Sequence, residues 1–149
     1  MSNAEPRTHR VIEPPILEVD GILIASVQEA LDDEAVLAFE HSLLKRIAEA
    51  EVLGVVIDVT AVDVLDSFMA RCLDDMALAV GLLGARLAVV GIQPPVAITL
   101  LKMGFTIPNA MTGRDLQQGM GMLRRAGPPS VETVASLEAS TTALGGARD

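Results

Sequence analysis

Two periods of apolar positions alternate along this chain. Ile16–Val19 and Gly21–Val27 read as two strands around Asp20-Gly21, a pair suited to a two-residue hairpin turn. Asp32, Asp33 and Glu34 crowd a helix start, where negative charge favours the helix dipole. Val36, Phe39, Leu43, Leu44 and Ile47 then mark one helical face. Val52–Val59 contains the β-branched run Val55, Val56, Ile57 and Val59, the pattern of a strand buried on both faces, with Gly54 as an interruption. The next helix opens near Asp66 or Ser67, both good N-caps. It carries Phe68, Cys72, Met76 and Val80 at helical spacing and stops at Gly84. Arg86–Gly91 reads as a strand. Pro94 and Pro95 open a helix that carries Val96, Thr99, Leu100 and Met103 and ends at Gly104. A short strand is expected near Ile107–Met111. Thr112 and Asp115 read as a capping box for a last helix through Arg125, and Gly127-Pro128-Pro129 then breaks the chain.

This order predicts one α/β domain, a mixed four- or five-stranded sheet packed with about four helices. Residues 1–13 read as a flexible N-terminal segment and 14–126 as the domain. Residues 127–149, rich in Ala, Ser, Thr and Gly, read as a tail that is disordered or weakly helical. Parallel strands joined through helices gather the loops after their carboxyl ends at one edge of the sheet. The loop that delivers Ser67 and the loop Gly91–Pro95 both follow such strands. Ser67, Gln93 and the turn leading to Thr99 are therefore expected to share one surface.

Composition narrows the function. The chain has 149 residues, half of them hydrophobic, enough for a real core. Only 2% are aromatic, which argues against base-stacking surfaces. A net charge of −9 argues against nucleic-acid binding, which needs cations for the phosphates. The single cysteine, Cys72, excludes an internal disulfide and a Cys-based zinc site, and its helical position reads as a core thiol. No stretch is long and apolar enough to span a bilayer, and MSNAEPRTHR lacks the apolar core of a signal peptide. A cytoplasmic protein without membrane contact is expected.

Catalytic signals are missing. Ser67 has no G-x-S-x-G elbow around it, and the histidines are His9, in the N-terminal segment, and His41, in mid-helix with charged neighbours. There is no Walker A or G-x-G-x-x-G stretch. Asp58, Asp63, Asp66, Asp74 and Asp75 could suggest a hard-cation site, but their spacing matches no EF-hand and they read as caps, turns and solvated faces. No enzyme activity, cofactor or metal is expected. A serine at a helix start without an acid, base or metal beside it suits modification by another protein better than attack on a substrate. On generic grounds the same serine also reads as a structural cap.

The stretch Gly54–Met76 resembles the STAS domains of anti-anti-sigma factors, which carry a D-S or D-T pair at the start of the helix after the third strand. The run GIQPPVAITLLKMG, ending at Gly104, resembles more narrowly the small stressosome scaffolds of the RsbS type. The resemblance covers about Pro15 to Arg125. It implies that Ser67 is the main phosphorylation site, with Asp66 its acidic neighbour, and that Thr99 matches a second, weaker phosphosite of the RsbR-type co-scaffolds. Serine rather than threonine at position 67, with no sensory segment ahead of the domain in this sequence, favours the small scaffold. Pro95 departs from the family, where Ala or Glu is common.

The resemblance further implies a partner-binding surface of Asp63, Asp66, Ser67, Gln93, Pro94 and Thr99. The partners it implies are an RsbT-like serine/threonine switch kinase, paralogous RsbR-like STAS proteins and a phosphatase for reset. A homodimer and a large assembly are also implied. The physical logic is simple. Phosphoserine adds about −1.5 to −2 charge, which a helix N-terminus tolerates and which Asp63, Asp66 and partner carboxylates would repel. Two alternatives stay open here: a simple antagonist that binds an anti-sigma kinase directly, and a small-ligand-binding module.

Overall fold

A computed structural model describes residues 13–29 and 31–129. Strands β1 (Ile16–Val19), β2 (Ile22–Ser26), β3 (Gly54–Asp58), β4 (Arg86–Val90) and β5 (Met111–Gly113) form one sheet in the order β1-β2-β3-β4-β5. β1 pairs antiparallel with β2, and the other pairs are parallel. Asp20 and Gly21 both have positive φ, 50° and 78°, and form the expected tight hairpin turn. Helices α1 (Asp33–Glu49), α2 (Ser67–Leu82), α3 (Pro94–Lys102) and α4 (Leu116–Ala126) complete the α/β domain.

Alternation along the strands sorts the core into two layers. Leu23, Ala25, Val55, Ile57, Leu87 and Val89 point to one face and pack with Phe39, Leu43, Leu73 and Met76 of α1 and α2, and with Val96 and Leu100 of α3. Ile22, Val56, Ala88 and Val90 point to the other face and pack with Leu123 of α4. Each such large side chain, fully buried, is worth about 1.5–3 kcal/mol relative to exposure. Gly54, an interruption in the sequence pattern, has a packing reason. A Cβ there would lie 2.9 Å from both the Arg86 carbonyl and the Leu123 methyls. The glycine lets α4 sit down on the sheet.

Several local expectations need correction. The short strand forms at Met111–Gly113 rather than at Ile107–Met111. Ile107 is drawn into the core instead, and Pro108 has no N–H to give a ladder. The Asp74 carboxylate of α2 then takes the Asn109 backbone N–H at 2.7 Å and its side-chain amide at 2.8 Å, which fixes a turn. The capping box does not form, because Thr112 belongs to β5. Asp115 alone caps α4, accepting from the Gln118 N–H at 2.8 Å. The buried stripe of α2 runs through Met69, Ala70, Leu73, Met76, Ala77 and Val80, so Phe68 is turned outward. Met103, read as carried by α3, is its C-cap and is exposed. Cys72 is half-buried at the margin of the core rather than inside it.

The histidine His9, residues 1–12 and the tail from residue 130 lie outside the described residues. Glu13, the last residue assigned to the N-terminal segment, accepts a 2.7 Å bond from the Ser42 hydroxyl of α1.

Candidate functional site

The site grows out of the carboxyl edge of β3 and β4. β3 ends at Asp58, whose Oδ1 accepts from the Thr60 N–H at 2.9 Å and from the Thr60 hydroxyl. This Asx-type turn bends the chain off the strand. Val62 and Leu65 anchor the loop in the core, and between and beyond them Asp63, Val64 and Asp66 are exposed. Asp66 is the N-cap of α2. Its backbone is extended and its carboxylate accepts from the Met69 N–H at 2.8 Å. The cap is thus Asp66, and Ser67 is the first residue of the helix.

Ser67 is half-buried, less open than its expected display to solvent. Its neighbours make up the difference. Val64 is 68% and Phe68 40% exposed, so the fold leaves uncovered an apolar side chain three residues before the serine and another one residue after it. Sequence reading missed both, because helical spacing places Phe68 on the buried stripe. The buried face keeps Met76 and Val80 but takes Met69 in place of Phe68 at the first turn.

The second loop meets the first. Gly91 has φ 81° and sits against Asp58 and Thr60, and the Gln93 side-chain amide donates to the Thr60 carbonyl. Gln93 stands at the N-cap position of α3 but makes no side-chain cap bond, since its amide is spent on the other loop. The Asp58–Thr60–Gln93 chain therefore stitches the two loops together. Only Gln93 of these three was assigned to the surface from sequence, although an Asp two residues before a Thr after a strand is a readable turn signal.

Pro94 is exposed at the start of α3. Thr99 is also exposed, and its hydroxyl donates back to the Pro95 carbonyl at 2.9 Å, an i to i−4 bond that occupies the hydroxyl within its own helix. Ile98 and Leu101 beside it are 52% and 69% exposed. An apolar groove of about 520 Å³ runs between α3 and β5, and neither Ser67 nor Gln93 lines it. Asp58, Asp66 and Asp74 each spend a carboxylate oxygen on a backbone N–H, as caps and turns do. Among the described residues no group of three or more His, Cys, Asp and Glu is placed to hold a metal ion. Nor is any described helix long and apolar enough to cross a membrane.

Acidic groups crowd the seam between α1 and α2. Burial first, and then the Asp75 carboxylate, push the Glu40 carboxyl above its ordinary range. Burial and then Asp74 push Asp75 up, with Arg71 opposing. The Cys72 thiol is raised by burial and then by Asp75, Glu40, Asp33 and Asp66, so it stays protonated and is a poor nucleophile. A carboxyl raised in the fold gives stability that is fully present below its unfolded pKa. That stability is lost as pH rises through the folded value. Glu40→Gln should therefore raise the melting temperature at pH 7 by about 1–3 °C. The gain should vanish as pH falls below the ordinary carboxylate range. Thermal melts at several pH values check this; a variant less stable than the parent at pH 7 would contradict it.

Three helices cover one face of the sheet, and Asp66 caps α2 one residue ahead of Ser67. The STAS domain model matches residues 13–111, and the chain belongs to the STAS domain family. Among solved structures it is similar to RsbS of Moorella thermoacetica, a serine-to-glutamate variant, with 36% identity and a TM-score of 0.66. That match covers 76% of this chain and 96% of the other. A chain from a structure of the stressosome, described as a signal integration and transduction hub, is 38% identical with a TM-score of 0.65. It covers 75% of this chain and 97% of its own. Among curated proteins it is similar to the RsbT co-antagonist protein RsbRA of Bacillus subtilis (strain 168), 27% identical over 110 residues. That match covers 73% of this chain but only 40% of the relative, so the chain spans less than half the length of that protein.

Proposed function

We propose that this chain is a non-enzymatic stressosome-type scaffold and a phosphorylation-controlled partner switch. It holds an RsbT-like serine/threonine kinase in the resting state and releases it when Ser67 is phosphorylated. A phosphatase resets the site, and RsbR-like STAS paralogues share a large cytoplasmic assembly with it. The observation that carries this reading is the placement of Ser67 in the first turn of α2. Asp66 does the capping, and Val64 and Phe68 are exposed on either side. A contact centred there can be broken by charge without loss of the helix. The similarity to RsbS over nearly its whole length supports the reading. Thr99 is a weaker site in this account, because its hydroxyl is bonded within α3. The test is incubation with the cognate kinase and ATP, then mapping by mass spectrometry. Phosphate on other residues with Ser67 unmodified rejects the proposal.

The folded unit in this reading is residues 14–126 with its short exit. Gly127 ends α4, and its carbonyl accepts from Arg86 Nε at 3.0 Å. A truncation that keeps this bond, after Pro129, should melt within about 2 °C of the full chain. A loss of several kcal/mol would show that residues 130–149 pack on the domain.

A further inference from the structure

The groove between α3 and β5 takes no part in the switch surface, and its lining has a chemistry of its own. At about 520 Å³ it has the size that small molecules fill. Buried Leu100 and Ile107 lie at its base, with half-buried Phe105 and Leu101, 69% exposed, nearer its mouth. Thr106, Thr112, Arg114 and Gln118 supply its polar groups, and no Asp or Glu among the described residues lines it.

Those polar groups are left able to donate. Gln118 spends its side-chain oxygen on the Arg114 N–H at 2.5 Å, which leaves its NH2 to face a ligand. The Arg114 guanidinium pairs with Asp115 Oδ2 at 3.6 Å, but the two side chains stay 79% and 55% exposed, and such a pair holds weakly. The other Asp115 oxygen is occupied in capping α4. Charge along the chain points the same way. The whole chain carries −9, yet from Met76 through Arg114 it has no Asp or Glu and three cations, Arg86, Lys102 and Arg114. Of these, Arg114 stands at the groove. An anion repelled by most of the surface is drawn here.

We propose that this groove binds a small amphipathic monocarboxylate of the medium-chain fatty-acid class. The apolar chain lies on Leu100, Leu101 and Phe105. The carboxylate takes the guanidinium fork of Arg114 in place of Asp115, and the Gln118 amide donates beside it. A neutral head would leave Arg114 with Asp115 and gain little. Ile92 and Ala97 line the groove too, on either side of Gln93 in the chain. A bound chain therefore touches the start of α3, which Gln93 ties to Thr60 of the loop before Ser67. An effect on the switch rests on the proposed function; the binding does not.

The test needs no kinase. The full chain is titrated in a calorimeter with butanoate, hexanoate, octanoate and decanoate, each below its micelle concentration, and with octanol as the neutral control. Octanoate should bind in the submillimolar range. Each added methylene should tighten binding about twofold to fourfold, and octanol should bind about tenfold more weakly than octanoate. Arg114→Gln should weaken octanoate about tenfold and leave octanol unchanged. Leu101→Glu, which sets a carboxylate at the mouth, should weaken every acid of the series. Both positions are exposed, and unchanged melts confirm that the variants fold. Amide resonances of isotope-labelled protein should shift at Leu101, Phe105 and Arg114. Failure of all four acids to bind overturns the proposal and leaves the groove to a protein partner. Octanol that binds as tightly as octanoate, or an Arg114→Gln variant that keeps octanoate affinity, overturns the anionic head. Binding that Leu101→Glu leaves unchanged, or shifts confined to another face, overturns the site.

Discussion

Ser67→Asp should lower affinity for the switch kinase about tenfold to a hundredfold while the fold survives. The geometry separates the two effects. The first-turn N–H that needs a cap is served by Asp66, so position 67 carries no capping duty that aspartate would disturb. A carboxylate in the first turn of a helix is favoured by the dipole. The melting temperature should therefore move by about 2 °C or less. Binding is another matter, because the new charge stands three residues after Val64 and one before Phe68, the apolar side chains that a partner would cover. Burying it beside Asp63 and Asp66 sets like charges together, which costs about 1.4–2.8 kcal/mol in a contact that stays partly hydrated. Each 1.4 kcal/mol is a factor of ten. Ser67→Ala should keep kinase binding and lose the response to ATP. Calorimetry with the purified kinase and a thermal melt of each variant decide the matter. Unchanged affinity for Ser67→Asp would remove the switch, and an unfolded variant would make Ser67 a structural residue.

The fold was legible because its signals are local. Gly54–Asp58 is a β-branched run, Asp20-Gly21 is a hairpin pair, and Pro94-Pro95 opens a helix; each fixes its element without help from distant residues. What failed depended on tertiary partners. The register of β5 was set by Asp74 holding Asn109, a contact 35 residues away that no spacing reveals. Met76 and Val80 of α2 are buried as read, but its first turn was misjudged: Phe68 and Met69 are both apolar, and only the core beneath decides which one is covered.

The site was half legible. Asp66 and Ser67 follow from capping chemistry, and Gln93 from the edge rule for parallel strands. Val64 was passed over inside an acidic loop, and an exposed apolar residue becomes informative only when the fold shows it uncovered. The stitch from Asp58 through Thr60 to Gln93 needed both loops in place before it could be seen.

That stitch leads to the largest expected loss of stability. Gly91 follows β4 with φ 81°, a conformation that costs a residue with a side chain about 1–2 kcal/mol. A Cβ at this position would also meet the Thr60 Oγ1 at 2.0 Å and the Asp58 Oδ1 at 3.0 Å. The loop must yield, and Thr60 cannot yield without releasing its bonds to Asp58 and the Gln93 amide. Gly91→Ala should therefore cost about 2–4 kcal/mol, the sum of backbone strain and a lost bond network. It should also impair kinase binding at temperatures where the variant is still folded, because the start of α3 loses its link to the loop before α2. Adding Thr60→Ala to Gly91→Ala removes the closest clash, that with Oγ1, and leaves the backbone strain and the tight contacts with Asp58 Oδ1 and the Cβ of residue 60. The double variant should recover part of the stability but not the binding. Denaturant unfolding of the single and double variants, with kinase binding measured on each, tests the account. Wild-type stability in Gly91→Ala would show that the loops meet differently. Full recovery of binding in the double variant would show that the Thr60 hydroxyl has no part in holding the site.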